Sequence, residues 1–474
     1  MMRRKNSVIS FAIAIVVSVA LSACGQKSDV GSNLGVRIIE GQAFARSGLP
    51  LAGLLVVVDG NQTTADANGR FRIVVTFPLA AINDIYDLVA FCFAPDDNVS
   101  EHPCEGAHIV DPDFSNVDVL AFQGIHTLNP VFVWERTSGN VMSLTGTADP
   151  LQIPLPGDHA VLTAVDHPMV YDTWISLSAD TGEISGYARW GQTPLVTAEL
   201  WSIHQIDQRL LDASSEQYAI LPAQYVGVGH TTGFEFELSF GAPREFVIPL
   251  EAPATTVRQT GQVELAAGHV AVRRDYSVAF GAASMPVGME LVHDTPADPL
   301  SFSWLAPVLD GAVVKVCARS VAEENVAGAA APYAVACATA SAPDESLRVV
   351  VPATIDAHAA WDPGNGVWQF NWSTAPEGEY LSKVKGDIQL GETTVPFIVY
   401  GQGARIALPS LGAIGVEVTA ATQLAWEVGL TNKKTLEEVA GGGFAGSTAF
   451  PAQQRAGTTV WDIVYPERSE FIDP

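Results

Sequence analysis

The most restrictive feature of this chain is a two-residue hydrophobic period that recurs along its length and rarely gives way to a helical one. Apolar side chains alternate or run together in 54–58 (LLVVV), 70–75 (RFRIVV), 234–240 (FEFELSF) and 245–250 (EFVIPL). They do so again in 312–318 (AVVKVCA), 367–372 (VWQFNW) and 395–400 (VPFIVY). Successive side chains of a strand point to opposite faces, so such runs suit half-buried or fully buried strands. Turn formers punctuate them: Asp59-Gly60-Asn61, Asn68-Gly69, Asp310-Gly311 and the run Asp362-Pro363-Gly364-Asn365-Gly366. Many short strands with regular turns predict an all-β chain of several tandem β-sandwiches. Helix signals are confined to 433–440 (KKTLEEVA), stopped by Gly441, and an ambiguous stretch at 203–213.

A length of 474 residues suggests roughly three domains at about 150 residues each. Pro-rich and turn-rich patches near 138, 252 and 346 divide it further. The expected organisation is a leader at 1–23, a tether at 24–36, and sandwiches at 37–137, 138–251, 252–345 and 346–474. Phe302-Ser303-Trp304 leads to a Gly311 turn and Tyr333, and Phe370-Asn371-Trp372 leads to 376–379 (PEGE) and Tyr380. A Trp on an early strand with a later Tyr resembles fibronectin type III and related Ig-like sandwiches, which implies that fold for the later domains.

The N-terminus carries an address. Arg3, Arg4 and Lys5 precede an apolar stretch from Val8 to Ala20, with small residues at its end. That order of charge, short apolar run and small residues marks a secretory signal. An uncleaved anchor helix is the competing reading, and a bilayer asks for about 20 apolar residues. Leu21-Ser22-Ala23-Cys24 resembles the lipobox of bacterial lipoproteins. The resemblance implies cleavage before Cys24, diacylation of its sulfur, and a further acyl chain on the new amino group, an anchor stable on a membrane. Gly25 and Gln26 follow, where Asp would imply inner-membrane retention, so the resemblance implies the outer membrane, on its periplasmic or cell-surface face. Residues 25–36 (GQKSDVGSNLGV) suit a flexible tether. The uncharged 326–342 stretch is mostly Ala with Pro332, and reads as loop and strand, not a second span.

Acidic residues number 52 against 25 Lys and Arg, a net charge of −27. Loss of Arg3, Arg4 and Lys5 with the leader makes it −27 − 3 = −30. Such a balance excludes sequence-independent nucleic-acid binding, which needs cations to displace counterions. It also opposes direct adhesion to anionic lipid. With Cys24 set aside, four Cys remain in two local pairs, Cys92 with Cys104 and Cys317 with Cys337. An even number in an exported chain favours two disulfides. Cys92, His102, Cys104 and His108 offer a zinc alternative for the first pair, but lack the short Cys-x₂₋₄-Cys spacing.

Residues 37–76 carry a sharper pattern. Gly41 lies in the first strand, Ser47-Gly48-Leu49-Pro50-Leu51-Ala52-Gly53 leads into Leu54–Val58, and a hairpin runs through Thr63, Thr64, Asp66, Asn68 and Gly69 to Phe71. This resembles the carboxypeptidase regulatory-like, or transthyretin-like, β-sandwich, with its Gly-x-Pro-Leu-x-Gly run and Thr-x-Asp-x-x-Gly-x-Phe turn. The resemblance covers about 40 residues, with the module reaching to about Arg136. It implies a non-catalytic accessory domain in which Gly41, Pro50, Gly53, Asp66, Gly69 and Phe71 are structural. Leu54 stands where the family has a small residue. Independently, Pro50 sets φ before the strand, Gly69 supplies φ > 0, and Phe71, Ile73 and Val75 share a face.

Three catalytic motifs are absent from the sequence: Gly-x-Ser-x-Gly, His-Glu-x-x-His and the P-loop. The stretches 227–233 (GVGHTTG) and 401–403 (GQG) read as β-turns, and Asp166-His167 and His293-Asp294 as turn residues rather than triad fragments. Calcium is the one cofactor the acidic residues would suit, at Asp59, Asn61, Asp66 and Asn68 or at Asp96, Asp97, Asp111 and Asp113. Neither group has EF-hand spacing, and Asx-turns are favoured. Trp361, Trp368 and Trp372 offer a sugar-stacking alternative; Trp368, Phe370 and Trp372 share a strand face and read as core, leaving Trp361 as the contact ring. The expectation is a non-enzymatic, lipid-anchored envelope protein that binds a protein partner. A polysaccharide ligand at Trp361 is the alternative, and a hydrolase with its residues on separate loops ranks below both.

Overall fold

A computed structural model of the chain describes residues 34–45, 50–78, 86–93, 117–125, 130–134, 140–149, 158–167, 170–177, 183–190, 195–212, 217–237, 244–250, 255–281, 283–294, 300–325, 331–341, 346–373, 378–391, 393–440 and 460–468. Across these residues the protein is all-β. Its strands pair in four groups, each a smaller sheet laid over part of a larger one.

The first group holds β1 (Leu34–Ala45), β2 (Leu55–Val58), β3 (Asn61–Thr64), β4 (Arg70–Pro78), β5 (Tyr86–Phe93), β6 (Val117–Ile125) and β7 (Val131–Trp134). A three-stranded sheet ordered β4-β1-β7 faces strands ordered β3-β2-β5-β6. Ile39, Phe71, Ile73 and Val75 from one layer meet Leu54, Val56, Leu88, Ala90 and Phe122 from the other in a single core. The alternation of 70–75 therefore points Phe71, Ile73 and Val75 inward, as the two-residue period demands.

The second group holds β8 (Asn140–Asp149), β9 (Asp158–Asp166), β10 (Val170–Leu177), β11 (Glu183–Trp190), β12 (Leu195–Asp212), β13 (Gln217–Glu237) and β14 (Arg244–Pro249). Here β10-β11-β8-β14 cover β9-β12-β13. The described part of the ambiguous 203–213 stretch, 203–212, is strand: β12 is bonded on both sides, to β9 and to β13, and two backbone ladders outweigh a weak helical pattern. Residues 227–233 likewise lie inside β13, paired to β12, and do not form a turn of their own.

The third group holds β15 (Thr256–Leu265), β16 (His269–Phe280), β17 (Ala283–Asp294), β18 (Leu300–Pro307), β19 (Ala312–Ala322), β20 (Tyr333–Ala340) and β21 (Leu347–Val351). The fourth holds β22 (Asp356–Asp362), β23 (Val367–Ser373), β24 (Leu381–Leu390), β25 (Thr393–Gln402), β26 (Arg405–Ala407), β27 (Gln423–Thr431) and β28 (Val460–Arg468). Sheets β18-β15-β21 and β22-β23-β26 cover their larger partners. The expected short helix is α1 (Leu436–Ala440), opened by a capping box: the Glu438 N–H donates to Thr435 Oγ1 at 3.2 Å and the Thr435 N–H to Glu438 Oε2 at 2.8 Å.

The third group repeats the first. In both, the opening strand is central in the small sheet, the fourth strand pairs antiparallel to it, and the last returns parallel on its other side. Gly41 lies opposite Phe71, and Gly261 opposite Phe302. A Cβ on Gly41 would sit 2.3 Å from the Phe71 ring and 2.2 Å from the Pro130 carbonyl oxygen. On Gly261 it would sit 2.3 Å from the Phe302 ring and 2.3 Å from the Leu347 carbonyl oxygen. Only glycine admits ring and carbonyl together. The loose likeness of 302–304 to 370–372 is not structural equivalence: Phe302 lies on the fourth strand of its group, Phe370 on the second.

The larger sheets fuse edge to edge. Strand β6 pairs parallel with β25 through Val119–Phe122 and Phe397–Tyr400. Strand β28 pairs with β20, and β13 with β17. One fifteen-stranded sheet results, with the groups in the order first, fourth, third, second. Edge groups that would otherwise seek outside partners are thereby bonded within the chain. Fusion explains the unbroken apolar runs of the first group. While Val56, Leu88 and Phe122 face its own core, Leu55, Val89, Phe91, Val119 and Ala121 are buried on the opposite face, in the core of the later groups.

Candidate functional site

Cys24, residues 24–33 of the expected tether, Cys104, His102, His108, Asp96, Asp97, Asp111 and Asp113 lie outside the described residues, while Leu34–Val36, read as tether, belong to β1 because they pair with Thr76–Pro78 of β4. Among the described residues no helix is long and apolar enough to cross a membrane. The Cys317–Cys337 disulfide is present, joining directly opposed positions of β19 and β20. Cys92 is buried and disulfide-bonded. Asp59 and Asp66 occupy turns at opposite ends of β3. The Asp66 carboxylate accepts the N–H groups of Asn68 at 2.8 Å and Arg70 at 2.9 Å, closing an Asx-turn. Among the described residues no group of three or more His, Cys, Asp or Glu is arranged to hold a metal.

Trp361 is half-buried against the core, edge-on to its cross-strand partner Trp368 at 6.0 Å. Trp368, Phe370 and Trp372 are core. The turn beside Trp361 is built on Asp362, which accepts from Asn365, Gln369 and the Gly364 N–H. The Asn365 side chain, followed by that backbone N–H, holds its carboxyl below the usual range. The Asp166-His167 pair closes β9, and burial pushes the His167 imidazole below its ordinary value. Asp294 ends β17.

Two interior clusters pin the third group. The Tyr276 hydroxyl donates to the Glu290 carboxylate, and Arg274 reaches the same oxygen at 3.3 Å. Burial, then the Glu290 charge, raises the Tyr276 phenol far above its ordinary value, so it stays a donor. Trp201 of β12 lies against Phe280 of β16 at 4.0 Å and His230 of β13 at 3.8 Å, tying the second group to the third.

The surface with most chemistry is the side of the long sheet turned away from β18-β15-β21. Val316, Ala318, Ala334 and Ala336 face the core, so Cys317, Arg319, Tyr333 and Val335 face outward. Pairing carries this line across the groups: Tyr218 (β13) opposes Leu291 (β17), Leu291 opposes Arg273 (β16), and Arg273 opposes Arg319 (β19). The next line holds Ile220, Met289, Asp275 and Cys317. Leu291 is 37% exposed. Arg273 is bidentate to Asp275, at 2.7 and 2.9 Å. The Arg319 guanidinium stacks 3.7 Å from the Tyr333 ring centre. Sequence reading missed this face because its arginines are distant in the chain. The one local signal was that Lys315 and Arg319 take the polar positions of an alternating strand.

No protein-family model matches the chain, and no curated protein does. One solved structure, a Ca²⁺-stabilised adhesin that helps an Antarctic bacterium reach out and bind ice, is similar over 83% of this chain and 94% of its own. At 12% identity and a TM-score of 0.12, that likeness carries no argument.

Proposed function

We propose that the protein is a lipid-anchored component of the bacterial outer membrane that binds another envelope protein rather than catalysing a reaction. The signal segment ending in Leu21–Cys24 supports the anchor. The resemblance of 37–76 to an accessory sandwich, and an Ig-like or fibronectin-like reading of the later groups, fit a binding role. The observation that carries it is the outward face joining Tyr218, Leu291, Arg273 and Arg319 across the fused second and third groups. Aromatic, aliphatic and Arg side chains in one patch are the composition of protein interfaces. The packing of Trp361 against Trp368 weighs against a sugar platform there.

Two measurements test the reading. Cys24→Ala should release the protein from membranes or leave its precursor unprocessed; unchanged partitioning overturns the anchor. A photo-crosslinker at Leu291 in intact cells should capture one reproducible neighbour, while one at Val350, 40% exposed on the smaller sheet of the third group, should not. Equal capture at both positions, or none at Leu291, overturns the binding face.

A further inference from the structure

Arg273 and Arg319 are directly opposed on adjacent strands. Cβ atoms of such pairs lie about 5 Å apart, and like charges there are destabilising. The chain has 52 acidic residues and 25 basic ones, so an arginine finds a carboxylate easily. Arg273 has done so, with Asp275. Arg319 has not: among the described residues no carboxylate lies within ion-pair range of it, and its Nε is buried without a hydrogen-bond partner. Among the described residues its charge meets only the face of Tyr333. A stacked guanidinium keeps its planar fork of donors, the geometry that grips a carboxylate or other oxyanion.

The surroundings say what kind of molecule brings that oxyanion. Beside the pair lie Leu291, Met289, Ile220 and Tyr218, a half-exposed apolar strip continuous with it on the same face. A free inorganic anion would need none of this strip. We propose that Arg319, with Arg273, receives a carboxylate of an acidic polypeptide segment whose apolar side chains lie along Leu291 and Tyr218. This deepens the protein-partner reading and rests on it for the class of occupant. The partner meets an acidic protein, yet at physiological salt charges are screened beyond about 8 Å, so the local arginines decide the contact.

The test uses the full purified chain, free of cells, so that its outcome is separate from the in-cell crosslink. The probe is a fluorescent glutamate-rich peptide with interspersed leucines, followed by anisotropy at low and physiological salt. Binding should weaken roughly ten-fold or more in Arg319→Gln, less in Arg319→Lys, and not in Arg258→Gln, an exposed arginine on β15 of the smaller sheet. Arg319→Gln should also melt no lower than the parent, since it removes a like-charge pair; the peptide should raise the parent's melting temperature and not the variant's. Absence of binding at low salt, or equal losses in the 319 and 258 variants, overturns the site. Inorganic phosphate competing as well as the peptide overturns the polypeptide assignment, leaving a bare anion site. Tighter binding of polygalacturonate than of the peptide overturns it in favour of a glycan. A crosslink at Leu291 that persists in Arg319→Gln cells would leave the binding face standing while sinking the arginine anchor.

Discussion

Gly261→Ala should damage the third group far more than removal of one hydrogen atom suggests. The new methyl would lie 2.3 Å from the Phe302 ring and 2.3 Å from the Leu347 carbonyl oxygen, so each must retreat by about 1 Å to reach ordinary contact. The ring can tilt into the core. The carbonyl cannot move alone, because it opens the parallel ladder from Gly261–Leu265 to Leu347–Val351, whose Leu347, Val349 and Val351 are buried. Overpacking of this kind costs about 1–3 kcal/mol, and a weakened ladder bond adds about 1 kcal/mol, for a loss near 3 kcal/mol. Gly268→Ala is the control: with φ +74° and nothing within 4 Å, it should cost only the left-handed penalty of about 1–2 kcal/mol. Urea unfolding would give the stabilities, and hydrogen exchange over 346–351 would locate the loss. Adding Phe302→Leu to Gly261→Ala relieves the ring but not the carbonyl, so most of the defect should remain. Full rescue by that second change, or a Gly261→Ala loss smaller than that of Gly268→Ala, would refute the argument from the carbonyl.

Three further outcomes are expected. Partial desolvation raises the Asp87 carboxyl above its ordinary value even though the residue lies on the exposed side of β5, with Asp59 adding to this and the Gly124 N–H, at 3.0 Å, opposing it. The native state therefore holds this proton longer than the unfolded chain, and stability falls as pH rises from the ordinary Asp value through the raised one. Asp87→Asn, which keeps an acceptor for Gly124, should melt higher than wild type at pH 7 and equal to it at pH 3; no difference at pH 7 refutes this. Cys317→Ala with Cys337→Ala opens a loop with a sequence separation of 20 and should cost about 3 kcal/mol in denaturant unfolding. Thr435→Ala removes the capping box of α1 and should cost about 1 kcal/mol. Because Leu436 and Val439 are buried in the core of the first group, faster exchange should appear there as well as in α1.

Much of the fold was legible because its signals are local. The alternation of 70–75 predicts which residues face inward, and Phe71, Ile73 and Val75 do. The Asp66–Gly69 turn is readable because its hydrogen bonds span only a few residues. Thr435 and Glu438 mark α1 for the same reason. Where the reading erred, a distant partner had overridden a local pattern. Residues 203–212 are ambiguous alone and are strand once β9 and β13 flank them. Trp361 sits beside a glycine turn that suggests exposure, yet its cross-strand register with Trp368 turns it onto the core.

The candidate site was the least legible part. Arg273 and Arg319 belong to no motif, and their meeting depends on the register of β16 against β19, set by a whole buried face at once. The repeat of the first group in the third was equally hidden. It consists of one glycine, one ring and one carbonyl, and the carbonyl leaves no mark in sequence.

By itself, then, the sequence determined the all-β class, the inward faces of individual strands and the turns between them, since each follows from side-chain period and backbone preference over a few residues. Only the tertiary structure decided that the four groups fuse into one sheet in the order first, fourth, third, second. Unsatisfied strand edges pair with whatever complementary edge the folded chain brings near. That choice depends on shape and burial summed over the whole molecule, and no short stretch of residues carries it.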